Sequence, residues 1–350
     1  MKNLPIIFCH YGFSKYLPYV FDCAKISNPN KEIILLGDES NKEVALRCGV
    51  KHFNLRDFAF GDELKTFDNT YRLITSQAFD SYKHGEDWNK FVFRKWFILY
   101  NFLVKHDIEK FWHFDSDNMI FKDLAQVEHR YVDIDFTEQS HGNCIKGYFG
   151  NRQTIHRYNQ KILEAFSRKE FLEETERAMK GHNFPCSFNE MSVYAIFKKE
   201  EKVRTTQLAA TVEDSFFDDL LCRAQGMKME KLPLGEDVKV VRMNPDGRFF
   251  AIEDPSGKPI EAYLLNLSWM PIYLFDGILK HFRKNHKKPN CHFDPKSKTL
   301  AQISVPLKQN LKSLRKKLKN FFHNIPTLSP LFTASNNGVK SGEITFKFLK

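Results

Sequence analysis

The sequence predicts an α/β protein: a mostly parallel sheet flanked by helices, antiparallel hairpins in the C-terminal half, and a basic amphipathic helix near the end. Three observations carry this. Short, continuous apolar runs alternate with amphipathic helical patterns through the first 125 residues. A turn-punctuated, strand-like stretch occupies Val238 to Leu267. The charge is split, because residues 280–350 hold 16 Lys and Arg against two acids while the 350-residue chain carries +10 overall. The preceding residues are therefore net acidic, and the tail has the charge of a device for finding an anionic surface.

Leu4 to Cys9 reads as a strand buried on both faces. Ser14 is placed to cap a helix reaching Ile26, with Pro18 favouring a later start. Asn28-Pro29-Asn30 is a turn, and Glu32 to Asp38 is a second strand with polar residues at its carboxyl end. A short helix over Asn41 to Cys48 closes at Gly49, and Lys51 to Leu55 is a third strand. Strand–helix–strand–helix–strand opens a parallel sheet, whose ligands bind beyond the carboxyl ends of the strands. Residues 56–87 read as loop and short helix. Trp88 to Asp107 is the clearest helix, apolar enough to lie on a sheet. Lys110 to Asp115 is the next strand, with Met119-Ile120-Phe121 extended beyond it and another strand near Asp133 to Thr137. Gly142, Gly147 and Gly150 punctuate a loop or hairpin. Helices are expected at about 154–180 and 188–198, then antiparallel hairpins with turns at Asp246-Gly247 and Pro255-Ser256-Gly257.

Composition narrows the class. Hydrophobic residues make up 42% and aromatics 14%, including 34 Phe, which excludes a disordered chain. The seven cysteines, at 9, 23, 48, 144, 186, 222 and 291, form no CxxC pair. Reduced, mostly buried thiols are expected, without a disulfide framework or a zinc cluster. No run of eighteen apolar residues and no signal-peptide pattern occurs. The expected location is cytoplasmic, peripheral on the membrane face. In the tail, Leu307, Leu311, Leu314, Leu318, Phe321 and Ile325 form one apolar stripe after Pro306, with basic residues around it. A helix over about 307–325 with that pattern suits an anionic membrane surface. Docking on the protein's own body and binding of nucleic acid are the competing uses of this tail. The stripe and the acidic body disfavour nucleic acid.

The strongest chemical signal is Asp115-Ser116-Asp117, directly after an aromatic strand. A nucleoside diphosphate leaves poorly unless its developing charge is neutralised, and a hard divalent cation bridging the phosphates does this. Such cations take oxygen ligands and keep positions open for substrate. Two carboxylates one residue apart at a strand end meet that need, although Asp residues also cap turns.

Phe93-Arg94-Lys95-Trp96-Phe97, followed by Phe111-Trp112-His113-Phe114-Asp115-Ser116-Asp117-Asn118-Met119-Ile120-Phe121, resembles nucleotide-sugar-dependent glycosyltransferases of the GT-A fold, a Rossmann-like architecture. Their nucleotide-binding strands resemble the runs at Ile6–His10 and Ile34–Asp38. The resemblance covers about residues 4–200 and is closest over 88–125. It implies a nucleotide-sugar donor, Mn²⁺ or Mg²⁺, and transfer to a hydroxyl of a glycan or lipid-linked acceptor in surface polysaccharide or lipopolysaccharide synthesis.

The implied roles fall on particular residues. Asp117 ligates the metal, and Asp115 contacts metal or ribose. Asp38 accepts from a base N–H, or else caps the following helix. Phe8, His10 and Tyr11 pack on the base. Arg94 touches phosphates or sugar, or else forms a surface salt bridge. Glu190 is the catalytic candidate, or else an acid complementing a helix dipole. Gly147 to Asn151 is the loop approaching the sugar. The late His–Gly–Lys motif of some retaining members is missing; Leu265-Asn266-Leu267-Ser268-Trp269 occupies its place, with His281 and His292 as late alternatives. The expected organisation is a nucleotide-sugar half at 1–125, an acceptor half at 126–279, and the tail at 280–350. A DxD phosphatase, a nucleotidyltransferase and a non-enzymatic nucleic-acid or anionic-surface binder using the basic tail are the alternatives.

Overall fold

The computed structural model describes residues 3–78, 85–184 and 186–307. The chain divides into a compact unit, Met1–Ile303, and a second unit, Ser304–Lys350. Residues 308–350, and with them almost all of the expected basic helix, lie outside the described residues.

The first unit opens as predicted. β1 (Ile6–Cys9), α1 (Leu17–Ser27), β2 (Ile33–Gly37), α2 (Glu39–Arg47) and β3 (Lys51–Asn54) follow in order. Helix α1 begins after Ser14, so Pro18 falls in its first turn, where its missing N–H is not needed. Residues 62–70, read from sequence as loop and short helix, form α3 (Asp62–Thr70). Acids start that helix and Leu64 and Phe67 are buried, Phe67 packing on Phe97 and Phe166. Helix α4 (Glu86–Lys105) then leads to β4 (Phe111–Asp115) and the short β5 (Asn118–Ile120).

β6 (Phe136–Gln139) and β7 (Cys144–Phe149) form a hairpin. The long helical stretch that follows breaks at Arg168 into α5 (Gln153–Ser167) and α6 (Lys169–Lys180), and α7 (Glu190–Glu200) comes next. Short strands β8 (Thr205–Gln207), β9 (Ser215–Phe217), β10 (Met229–Lys231), β11 (Asp237–Lys239), β12 (Val241–Met243), β13 (Phe249–Ile252) and β14 (Pro259–Asn266) precede α8 (Ile272–Asn285).

The main sheet has the order β3-β2-β1-β4-β7-β6-β8. Its first four strands are parallel, and β7 runs antiparallel between β4 and β6. The chain steps from β1 to β2 and β3 on one side and crosses to β4 on the other. The gap between the carboxyl ends of β1 and β4 is thus a topological switch point, where open α/β sheets bind ligands. A second sheet, β12-β13-β14-β5, carries the predicted antiparallel hairpins. Its strand β5 pairs with the end of β14, Asn118 opposite Asn266. Asp115 therefore ends a strand of one sheet and Asn118 begins a strand of the other, leaving Ser116-Asp117 as the joint. No described helix is long and apolar enough to cross a membrane.

Gly147 lies within strand β7 opposite His113, not in a loop, so the expected sugar-binding loop over Gly147 to Asn151 is corrected. Its φ of +92° and the packing around it explain the glycine, since a Cβ would stand 2.4 Å from Thr137 Oγ1 and 2.7 Å from Leu208 Cδ2. Gly147→Ala should lower folding stability by about 2 kcal/mol or more, read as a reduced urea midpoint with an unchanged slope.

Candidate functional site

Three elements converge on Asp115. It ends β4, with Cys9 of β1 as its register partner. Lys95, on the sheet-facing side of α4, places Nζ 3.5 Å from Asp115 Oδ1, and Lys146 of β7 contacts the same oxygen more closely. The lysines are only 5% and 2% exposed, and both ammonium groups lie over the Trp96 ring. An unpaired buried ammonium is costly, so the two depend on this carboxylate. Burial opposes ionisation of Asp115, but Lys146 and Lys95 outweigh it and hold its carboxyl well below the usual carboxylate range. Neither lysine was singled out from sequence. The available signals were a Lys on the most apolar helix and a Lys between Ile145 and Gly147 in a buried strand.

Asp117 is held differently. Its Oδ1 accepts from Asn118 Nδ2 (2.9 Å), and the Ser268 hydroxyl donates to its Oδ2 (2.7 Å). Leu267 N donates to the Asp117 carbonyl (3.1 Å). Burial, with Asp115 adding to it, raises its carboxyl to about 6. The Asn266–Trp269 stretch, which occupies the place of the missing late motif, thus reaches the DSD turn and brings a hydroxyl and an amide. His281 Nε2 donates to the Asn244 carbonyl (2.9 Å) and serves the fold.

His10 and Ser116 bridge the switch point, with Nδ1 and Oγ 2.7 Å apart. His10 is buried and its Nε2 has no partner among the described residues. Burial pushes its imidazole down to about 4, against Asp38 and Asp115. His10 therefore belongs to the DSD turn and not to a base-packing surface. Phe8 requires a fuller correction: it is 0% exposed and packs on Phe21 of α1, out of reach of any ligand.

Tyr11, Asp38 and Arg94 share one cleft of about 620 Å³ beyond the ends of β1, β2 and β3, with Gly12, Asn54 and Phe91 among its walls. Tyr11 is half-exposed, with its ring 5.5 Å from that of Phe91. Asp38 is the N-cap of α2, accepting from Ser40 N (2.8 Å), and it also accepts from Gly12 N (2.6 Å). Burial raises its carboxyl, but the Ser40 hydroxyl and these amides outweigh that and lower it. Arg94 pairs with Asp68 through Nε (3.0 Å) while lining the cleft. For these two residues the structure shows the helix cap and the ion pair, and it places both side chains on the wall of the cleft.

Glu190 opens α7, after Asn189 caps the helix through Met191 N (3.1 Å). Tyr158 donates to the Glu190 carbonyl (2.6 Å). Burial raises the Glu190 carboxyl, while Lys95 and Lys146 favour its charge and Asp115 opposes it. The charges of Lys95, Lys146 and Asp115 thus reach the Glu190 carboxyl.

For a hard cation, Asp117 and the second oxygen of Asp115 are available carboxylate donors. No group of three or more His, Cys, Asp or Glu side chains suited to a metal occurs among the described residues. Two carboxylates with the remaining positions left to phosphate and water is a donor set that suits Mg²⁺ or Mn²⁺.

No protein-family model matches the sequence, and no curated protein matches it. Solved structures similar in part include the PaToxG glycosyltransferase, at 12% identity over 57% of this chain and 69% of that one, with a TM-score of 0.33. An active-site mutant of LgtC aligns at 13% identity over 61% of this chain and 75% of that one, with a TM-score of 0.34. A cytidylyltransferase from Leptospira borgpetersenii aligns at 10% identity over 58% of this chain and 99% of that one, with a TM-score of 0.29.

A carboxyl with a raised folded-state value binds its proton more tightly folded than unfolded. It therefore weakens the fold as pH rises through about 6, and that cost is gone below about pH 4. With divalent ions chelated, Asp117→Asn should melt a few degrees above wild type at pH 8, and the two curves should converge near pH 4.

Proposed function

We propose that the protein is a GT-A-type glycosyltransferase that moves a sugar from a nucleoside-diphosphate donor to a hydroxyl of a glycan or lipid-linked acceptor. The observation that carries this is Asp115-Ser116-Asp117 at the switch point, with a nucleotide-sized cleft beyond the neighbouring strands. The basic amphipathic helix read over 307–325 makes an anionic membrane face, on the cytoplasmic side, the proposed location of the acceptor.

Each residue then has a task. Tyr11 and Phe91 offer ring faces to a base in the cleft. Asp38 and Asn54 offer oxygens to the base or ribose, and Arg94 with Lys90 offers positive charge on the same wall. Asp117 and Asp115 would hold Mn²⁺ or Mg²⁺, which when bound supplies charge neutralisation to the departing diphosphate. Lys95 and Lys146 keep Asp115 ionised and fixed. Glu190, with its raised proton affinity, suits a general base. In that role it takes the proton of the acceptor hydroxyl. The hydroxyl oxygen forms the new bond to the anomeric carbon, and the old carbon–oxygen bond breaks with its electron pair leaving on the diphosphate.

Thermal-shift measurements with UDP, GDP and CMP, with and without Mn²⁺, test the donor site. One nucleotide should raise the midpoint only when metal is present, and Asp117→Asn should abolish the shift. Stabilisation by CTP or UTP alone would favour a nucleotidyltransferase, and no shift with any nucleotide would overturn the assignment. Once the donor is known, Glu190→Gln should lower donor turnover by roughly 100-fold or more while leaving the nucleotide shift intact.

A further inference from the structure

Trp269 is 72% exposed, and its backbone sits at φ +66°. A bulky residue in the left-handed region is strained by on the order of 1 kcal/mol or more. The exposed indole also leaves a large apolar surface in water. Glycine or asparagine at this position would relieve both costs, and the ring gains no burial in return. The turn that carries it is nevertheless firmly tied. Asn266 N donates to Asp218 Oδ2 (3.1 Å), Ser268 N donates to Asn266 Oδ1 (3.0 Å), and Met270 N donates to Leu267 O (2.9 Å). The Ser268 hydroxyl, one residue before the indole, donates to Asp117. Strain, exposure and rigid attachment to the DSD turn coincide in one side chain.

We propose that Trp269 is the stacking platform for the pyranose ring of a carbohydrate acceptor. This rests on the glycosyltransferase reading and deepens it by assigning the acceptor's chemistry. The base cleft, with Tyr11 and Phe91, lies beyond β1 to β3, whereas Trp269 follows β14 in the second sheet, whose strand β5 begins directly after Asp117. A nucleotide in the cleft with its diphosphate at the DSD turn leaves Trp269 for what comes after the transferred sugar.

A pyranose has an apolar C–H face that packs on an indole and a rim of hydroxyls that needs polar partners. Such partners begin one hydrogen bond away from the turn. Asn266 Nδ2 donates to the carbonyl of Asp219 (2.8 Å), and the Asp219 carboxylate helps line a cleft of about 290 Å³ with His141, Gln207, Thr211 and Gln225.

The test uses the full chain with the nucleotide and metal that stabilise it, and saturation-transfer NMR with methyl glycosides of glucose, galactose, N-acetylglucosamine and mannose and their disaccharides. Wild type should saturate the ring C–H protons of at least one glycoside. Trp269→Ala should weaken that binding by roughly threefold to tenfold, and Trp269→Tyr should restore most of it. Both variants should keep the wild-type melting midpoint or exceed it, and both should keep the nucleotide shift. Equal saturation by Trp269→Ala, or no glycoside bound by wild type while the nucleotide shift is intact, overturns the platform and leaves the donor reading standing. A Trp269 emission shifted by phosphatidylglycerol vesicles, with no glycoside bound, overturns it in favour of a membrane contact. Loss of the nucleotide shift with Trp269-dependent glycoside binding retained would instead sink the donor reading alone.

Discussion

Two ammonium groups buried at the end of one strand set the terms for the structure around them. Lys95 and Lys146 come from α4 and β7, on opposite sides of β4 in sequence, and both end on Asp115. Neither can be buried without a carboxylate, so the carboxylate constrains both elements. The rotational phase of α4 must turn Lys95 towards the sheet, although its neighbours Trp96 and Leu99 already fill that face. The antiparallel register of β7 on β4 must place Lys146 beside the end of the strand, and Gly147 opposite His113 accomplishes that. A slip of one residue would point Lys146 to the other face.

The same constraint separates the two aspartates chemically. Asp115 is charged and compensated, whereas Asp117, two residues on, receives only neutral donors and holds its proton more tightly. This difference follows from the joint between the sheets. Asp115 belongs to a strand covered by α4, while Asp117 faces the end of β14, which offers an amide and a hydroxyl. Two neighbouring carboxyls with opposite ionisation tendencies thus arise where two sheets meet, and the turn after β14 also carries the exposed indole of Trp269.

Much of this arrangement was legible in the chain. The apolar runs at Ile6–Cys9, Ile33–Gly37 and Phe111–Asp115 are parallel strands because strands covered on both faces cannot alternate polar and apolar residues. The DSD triplet stood out for the same reason, as the first polar break after such a run. Phe8 misled because a strand-end aromatic has the same letters whether it faces a ligand or α1, and only the pleat decides. Gly147 misled because a glycine needed for close packing inside a strand looks the same as one in a loop. His10 faces Ser116 and not a base, because its side-chain direction depends on which strand lies next to β1.

The sequence by itself determined the α/β class, the parallel opening of the sheet and the carboxylate pair at a strand end, since each depends on local periodicity or on adjacent residues. Tertiary structure alone decided which charges meet. Asp115 meets Lys95 and Lys146, and Asp117 meets the Ser268 hydroxyl, joining residues 20 to 151 positions apart. Such pairings are fixed by sheet order and helix phase, which no local pattern encodes. They decide ionisation because the attraction between charges depends on their distance and on the exclusion of water, and both are set only when the elements pack.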